Sequence, residues 1–162
     1  MYAAAARELA RLLAQRGITV VYGGARVGLM GVLADAALAA GGEVVGVIPA
    51  DLVAVEIAHE GLTELHVVSS MGERRHRMSE LSDAFVTLPG GFGTLEELFG
   101  TVTAVQVGAH TKPCGLLNVD GFFNGLLRFL DHAVDEALLR PANRAIVVVD
   151  HDPLRLVDRL TT

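Results

Sequence analysis

The chain has 162 residues, the size of one ordinary domain whose core needs no disulfide or metal to hold it. It is 51% hydrophobic and 20% charged, which excludes disorder; with 5% aromatics and no Trp, its core must be built from Val, Leu, Ile and Ala. A net charge of -6 and a pI of about 5.4 argue against nucleic acid as a partner, because such binding needs a basic face to displace counterions.

The apolar period alternates between helical and extended along the chain. Ala3 to Gln15 reads as an Ala/Leu/Arg-rich helix ended by Gly17. Ile18 to Tyr22 is a short β-branched run of the kind a buried parallel strand shows. Gly23-Gly24 opens a turn into a second helix, which runs to about Ala40 and is closed by Gly41-Gly42. Val44 to Ile48 is the next strand, stopped by Pro49. Leu65 to Val68 is another, followed by a helix over Met71 to Leu81. Ala84 to Leu88 runs as a strand into a Pro89-Gly90-Gly91 loop, and a helix is expected from about Leu95 to Val107. A strand at Leu116 to Val119, a helix at Phe122 to Leu139, a strand at Ala145 to Val149 and a helix at Leu154 to Leu160 complete the series.

This alternation with short connections predicts an α/β protein, a Rossmann-like open parallel sheet with helices on both faces, and residues 1–162 as a single domain. Such a unit starts with a strand, whereas this sequence starts in a helix. Either the first strand is missing from the sequence given or the fold has none. Cys114 is the only cysteine, so no internal disulfide forms and a reducing, cytoplasmic setting is expected. Mean hydropathy is +0.44, yet Asp35, Glu43 and Asp51 interrupt the apolar runs, and no stretch reaches the roughly 20 residues of a membrane span. No signal peptide is visible.

Ligands of open parallel sheets sit beyond the carboxyl ends of the strands. Two glycine-rich turns fall at that edge, one from Gly23-Gly24 to Gly31 and one from Pro89 to Thr94. Backbone N–H groups at such turns, followed by a helix N-terminus, suit a phosphate; glycines also serve simply to make tight strand-to-helix connections. Neither turn carries Gly-Lys-Ser/Thr, and Glu96 stands where a dinucleotide motif has its third glycine. Thr94-Leu95-Glu96-Glu97 reads as a capping box, which alone would account for Glu97; a carboxylate beside an anion site also suits a proton or a developing positive charge.

Ser70 and Glu73 form a second box, opening the helix that carries Arg74, Arg75 and Arg77. At 100° per residue Met71, Arg74, Met78 and Leu81 share a face, so Arg74 lies on the apolar stripe and needs a carboxylate or an anion as partner. The six histidines show no metal-ligand spacing, and Asp35 and Ser82 read as surface or capping residues. Lys112, the only lysine, stands before Pro113 at a strand entrance, a poor base for pyridoxal-phosphate chemistry.

Pro-Gly-Gly-x-Gly-Thr-x-x-Glu (Pro89 to Glu97), with Met-x-Glu-Arg upstream (Met71 to Arg74), resembles the LONELY GUY family of cytokinin riboside 5'-monophosphate phosphoribohydrolases, formerly labelled lysine decarboxylases. The resemblance extends over nearly the whole chain, through Tyr22-Gly23-Gly24, Val27 to Gly31, Gly46 to Pro49, and Lys112-Pro113 leading into Gly115 to Asn118. It implies a Rossmann-like homodimer that hydrolyses the N-glycosidic bond of adenine-type nucleoside 5'-monophosphates, with no metal and no cofactor. By motif position it assigns Arg74 and Glu97 as the catalytic pair. Glu56, Arg75, Gly90, Gly91, Phe92, Gly93, Thr94, Leu95, Glu96 and Thr103 fall at substrate contacts, as do Gly23 and Gly24 at the first turn.

The family's opening strand and its Gly-Ser-Ser turn are absent. Gly72 stands where histidine is common, Arg75 where lysine is usual, and Ala104 where tryptophan often follows the threonine. A non-catalytic nucleotide or molybdenum-cofactor carrier of the same fold is the competing reading, and Glu97 discriminates, since a carrier needs no carboxylate there.

Overall fold

The computed structural model describes residues 1–55 and 57–162; Glu56, a substrate position implied by the family resemblance, lies outside the described residues. The chain forms two compact units, Met1–Ser82 and Asp83–Thr162.

The first unit contains α1 (Tyr2–Gln15), β1 (Val20–Tyr22), α2 (Gly28–Ala39), β2 (Val44–Pro49), a single 3-10 turn at Ala50–Leu52, β3 (Glu64–Val68) and α3 (Met71–Leu81). Its strands pair in the order β1-β2-β3, all parallel, with Val21 opposite Val45 and Val47 opposite His66. β2 is the middle strand, and all of it but Val45 is buried, which explains the unbroken apolar run. Both Ala-rich helices end on a glycine in the left-handed region, Gly17 at φ 64° and Gly41 at φ 78°. The N–H groups of Gly17 and Ile18 return to the carbonyls of Ala14 (3.0 Å) and Leu13 (2.9 Å), so α1 stops and β1 starts within a few residues. α1 packs on α2 through small side chains, and the core gathers Ala10, Val20, Tyr22, Ala34, Ala37 and Val44.

The second unit contains β4 (Phe85–Thr87), α4 (Phe92–Gln106), β5 (Cys114–Leu117), a 3-10 turn at Val119–Gly121, α5 (Asn124–Asp135), α6 (Pro141–Arg144), β6 (Val147–Asp150) and α7 (Pro153–Leu160). Its strands pair β4-β5-β6, again all parallel. Leu98, Leu116, Phe123 and Val147 form its core. α7 buries Leu156, Val157 and Leu160; it packs on β5 and β6, and opens with Pro153 in its first turn and Asp152 accepting the Arg155 N–H at 3.0 Å.

The expected parallel α/β class stands, as two three-stranded parallel sheets with helices packed on them. Several boundaries differ from the sequence reading, and three of the differences have a local cause. The strand expected at Leu116 to Val119 is Cys114–Leu117, because Asn118 accepts the Phe123 N–H and turns the chain into a 3-10 segment. The helix expected to Leu139 stops at Asp135, where Ala137 adopts φ 57°. α6 was not anticipated; Pro141 starts it. Among the described residues no helix is long and apolar enough to cross a membrane.

Asp150 ends β6 and carries a built ion pair. Arg155 donates to it from Nη2 at 2.9 Å, and the Asp152 N–H adds a bond at 2.9 Å. These bonds, the Arg155 side chain foremost, hold the Asp150 carboxyl down from 3.8 to about 2. The fold thus favours the ionised form. Its contribution is complete above pH 3.8 and is lost as pH falls from there toward 2. Acid unfolding followed by circular dichroism is expected to show wild type more stable than Asp150→Asn by roughly 1 kcal/mol above pH 4, a gap that closes toward pH 2. A gap that stays constant across that window would remove the ion pair as its cause.

Candidate functional site

In the first unit the turn after β1 is held from three directions. α3 is capped by Ser70, whose Oγ accepts the Glu73 N–H at 3.1 Å. Glu73 reaches back one residue further than the expected box, accepting from the Ser69 N–H at 2.7 Å and the Ser69 hydroxyl at 2.6 Å. Those two bonds hold the Glu73 carboxyl below its ordinary range. The cap fixes the rotation of α3, and Arg74 becomes its one buried residue, 4% exposed, while Arg75 stays exposed.

The Arg74 guanidinium donates from Nε to the Val47 carbonyl at 3.0 Å and from Nη2 to the Gly23 carbonyl at 2.6 Å. Two backbone acceptors thus hold the guanidinium, one directly after β1 and one within β2. Gly23 must lack a side chain, since a Cβ there would overlap Arg74 Nη2 and approach Met30 Sδ to 3.1 Å. Gly24 adopts φ 75°, open to glycine without strain.

The next two carbonyls of the turn are also taken. The His59 N–H donates to Gly24 O at 3.0 Å, and the Tyr22 hydroxyl to Ala25 O at 3.0 Å. Burial, and after it the charge of Asp35, raises the Tyr22 hydroxyl well above the usual tyrosine range, so it stays a donor at any working pH. His59, 5% exposed, also contacts Asp35 Oδ1 through Nε2 at 2.9 Å. Sequence reasoning set this pair aside as a surface aspartate and an unligated histidine. The available signal was a lone carboxylate inside the otherwise apolar Gly28–Ala39 helix.

In the second unit the Pro89 to Thr94 turn follows β4, with Pro89 buried and Gly90 to Gly93 exposed. The expected capping box at Thr94 is not formed. α4 begins at Phe92, its N-cap is Gly91 without a side-chain bond, and the Leu95 N–H already bonds Gly91 O at 3.1 Å. Low helix propensity at Gly93 made this stretch read as loop, but the strand-to-helix turn is tighter than propensity suggests. Thr94 instead folds its side chain over Gly90, where a Cβ would overlap Thr94 Oγ1.

The first-turn N–H groups of Phe92, Gly93 and Thr94 therefore point out of the helix N-terminus, a geometry that favours an anion. The Phe92 ring is 93% exposed beside them. Leu98 is buried, with Leu95 and Val102 packed beneath the helix, as expected. Glu96 and Thr103 lie on the exposed face and Glu97 at its half-buried margin, one turn beyond the helix start. Glu97 is thus not a cap. Arg74 and Glu97 belong to different units, each placed by its own sheet and helix. Among the described residues no group of His, Cys, Asp and Glu is placed to hold a metal ion.

Residues 30–160 match the family described as possible lysine decarboxylase. The chain is 51% identical over 152 residues to a cytokinin riboside 5'-monophosphate phosphoribohydrolase of Rhodococcoides fascians, covering 93% of this chain and 77% of that protein. It is 46% identical over 159 residues to an enzyme of that name from Arabidopsis thaliana, covering 98% of this chain and 70% of the relative. Among solved structures, a molybdenum cofactor binding protein from Rippkaea orientalis is similar, with a TM-score of 0.73 at 22% identity, covering 99% of this chain and 88% of the other. At that identity the likeness speaks to the fold alone.

Proposed function

This chain belongs to the family described as possible lysine decarboxylase, together with cytokinin riboside 5'-monophosphate phosphoribohydrolases, and we propose that it hydrolyses the N-glycosidic bond of adenine-type nucleoside 5'-monophosphates. The observation that carries the reading is 51% identity to a phosphoribohydrolase over 93% of the chain. The cofactor-carrier alternative rests on a likeness at 22% identity and leaves Glu97 without a role.

In the reaction the C1'–N bond breaks, the oxygen of water bonds to C1', and the base departs with a proton, giving free base and ribose 5-phosphate. Positive charge develops on the ribose as the bond breaks. Glu97 is the group that stabilises this charge and takes a proton from water. The 5'-phosphate binds at the N-terminus of α4, on the first-turn N–H groups of Phe92, Gly93 and Thr94, with Gly90, Gly91 and Leu95 lining the turn and Glu96 and Thr103 further along the same helix contacting the nucleotide. Arg74 is the second catalytic residue, its guanidinium held by Gly23 and Val47 carbonyls. Gly23, Gly24 and Arg75 complete the substrate contacts on the first unit, and Glu56 is assigned by motif.

A homodimer working in the cytoplasm is part of the same proposal. The exposed Phe129 and Leu138 are apolar surface for a second copy to cover. Burial pushes the lone Cys114 thiol up to about 11, so it is unreactive at neutral pH, and the chain has no second cysteine to pair with it.

Incubation with AMP and with isopentenyladenosine monophosphate is expected to release free base and ribose 5-phosphate, read by chromatography. No release from either would end the hydrolase reading. Sedimentation of the same sample tests the dimer.

A further inference from the structure

The loop that follows Glu56 is fastened to the first glycine turn by contacts that the catalytic assignment does not use. The Arg26 N–H donates to Ile57 O at 2.9 Å, Ala25 and Ala58 form an isolated antiparallel bridge, and the His59 N–H donates to Gly24 O at 3.0 Å. The His59 ring then closes the loop on itself and on α2. Nδ1 accepts the Gly61 N–H at 3.0 Å, so the proton must sit on Nε2, which donates to Asp35 at 2.9 Å. His59 therefore ties together the turn, through its backbone N–H, and the loop and a helix, through its buried ring. Asp35 is 58% exposed, so it serves as an anchor at the surface for a ring that is buried.

Ile57 adds a second, independent observation. It adopts φ 53°, a left-handed conformation in which a β-branched residue is strained, and its side chain is 60% exposed, so burial of the side chain does not compensate. Strain of that kind persists only where its surroundings over-determine it, and here the Arg26–Ile57 bond and the His59 contacts lie on one side of it. The strained residue is the direct neighbour of Glu56.

We propose that His59 and Asp35 form a positioning clamp that fixes the segment from Ile57 to Gly61 against the Gly23–Arg26 turn, and so sets the substrate edge of the first unit. This rests on the phosphoribohydrolase reading. His59 does not touch substrate in this role. It acts through the loop it holds, and the strain at Ile57 is the cost of the geometry it imposes.

The test uses the full-length protein and three substitutions. Asp35→Ala removes the acceptor for Nε2–H, Asp35→Asn keeps one, and Ile57→Asn accepts the left-handed backbone with less strain. Asp35→Ala is expected to speed amide exchange of Arg26, His59 and Gly61 at least tenfold and to raise KM for AMP about tenfold, with kcat changed less. Asp35→Asn restores both toward wild type. Ile57→Asn is expected to raise Tm while lowering kcat/KM, an opposition that a purely structural role would not produce.

Wild-type exchange or wild-type kcat/KM in Asp35→Ala overturns the clamp, as does Ile57→Asn with unchanged kcat/KM. A wild-type protein that releases no base from any nucleotide ends the hydrolase reading instead. The clamp is then decided by the exchange data and by the Kd for AMP, and an unchanged Kd in Asp35→Ala overturns it.

Discussion

Glu97→Gln is expected to bind AMP within a fewfold of wild type while kcat falls by about 10²–10⁴, the range that removal of a general acid–base group produces. Glutamine keeps the size and hydrogen-bonding reach of glutamate but carries no charge and cannot take a proton. The structure makes this experiment cleaner than the sequence suggested. Because α4 begins at Phe92 with Gly91 as its N-cap, Glu97 stands beyond the first turn and no cap bond is lost with its charge. Single-turnover release of ribose 5-phosphate, together with equilibrium binding of AMP, separates the two effects. Unchanged turnover would remove the catalytic assignment of Glu97.

Gly23→Ala should show the second large effect, lowering kcat/KM about 10–10²-fold and stability by ~1–3 kcal/mol, the cost of forcing a methyl group into a packed site. The added Cβ overlaps Arg74 Nη2, so the guanidinium must leave the Gly23 carbonyl that it now reaches at 2.6 Å. Arg74→Lys provides the counterpart. A single ammonium cannot donate in the same fork to both Val47 and Gly23, and a buried carbonyl left without its donor costs ~1–3 kcal/mol. If both substitutions act through the same guanidinium, the double variant loses less than the sum of the single losses. Strict additivity in kcat/KM would show that Gly23 acts by another route, and wild-type activity in Gly23→Ala would show that the placement of Arg74 does not govern catalysis.

Much of this is legible in the amino-acid sequence. The helix at Met71–Leu81 was read with its true limits, because Ser70 and Glu73 announce its start and the Met71, Arg74, Met78, Leu81 spacing announces its inner face. The burial of Arg74 follows from that spacing alone. The capping box at Thr94 was misread for an equally local reason: the same four residue types mark a helix start wherever they fall, and only the tight turn after β4 shows that the helix has already begun at Phe92. His59 and Asp35 were not legible as a pair. They stand 24 positions apart, and neither residue carries a periodic or motif signal that names the other.

The sequence by itself determined what depends on neighbours along the chain. Period and β-branching set the alternation of strand and helix, glycines at Gly17 and Gly41 set where the two Ala-rich helices stop, and the paired motifs identify the family. Tertiary structure decided which groups satisfy one another across loops. That Arg74 is held by the carbonyls of Gly23 and Val47, that Gly90 leaves room for Thr94, and that His59 closes on Asp35 all depend on contacts between distant positions. A buried donor will take any acceptor the fold delivers, so its partner is set by packing and is written in no local stretch of sequence.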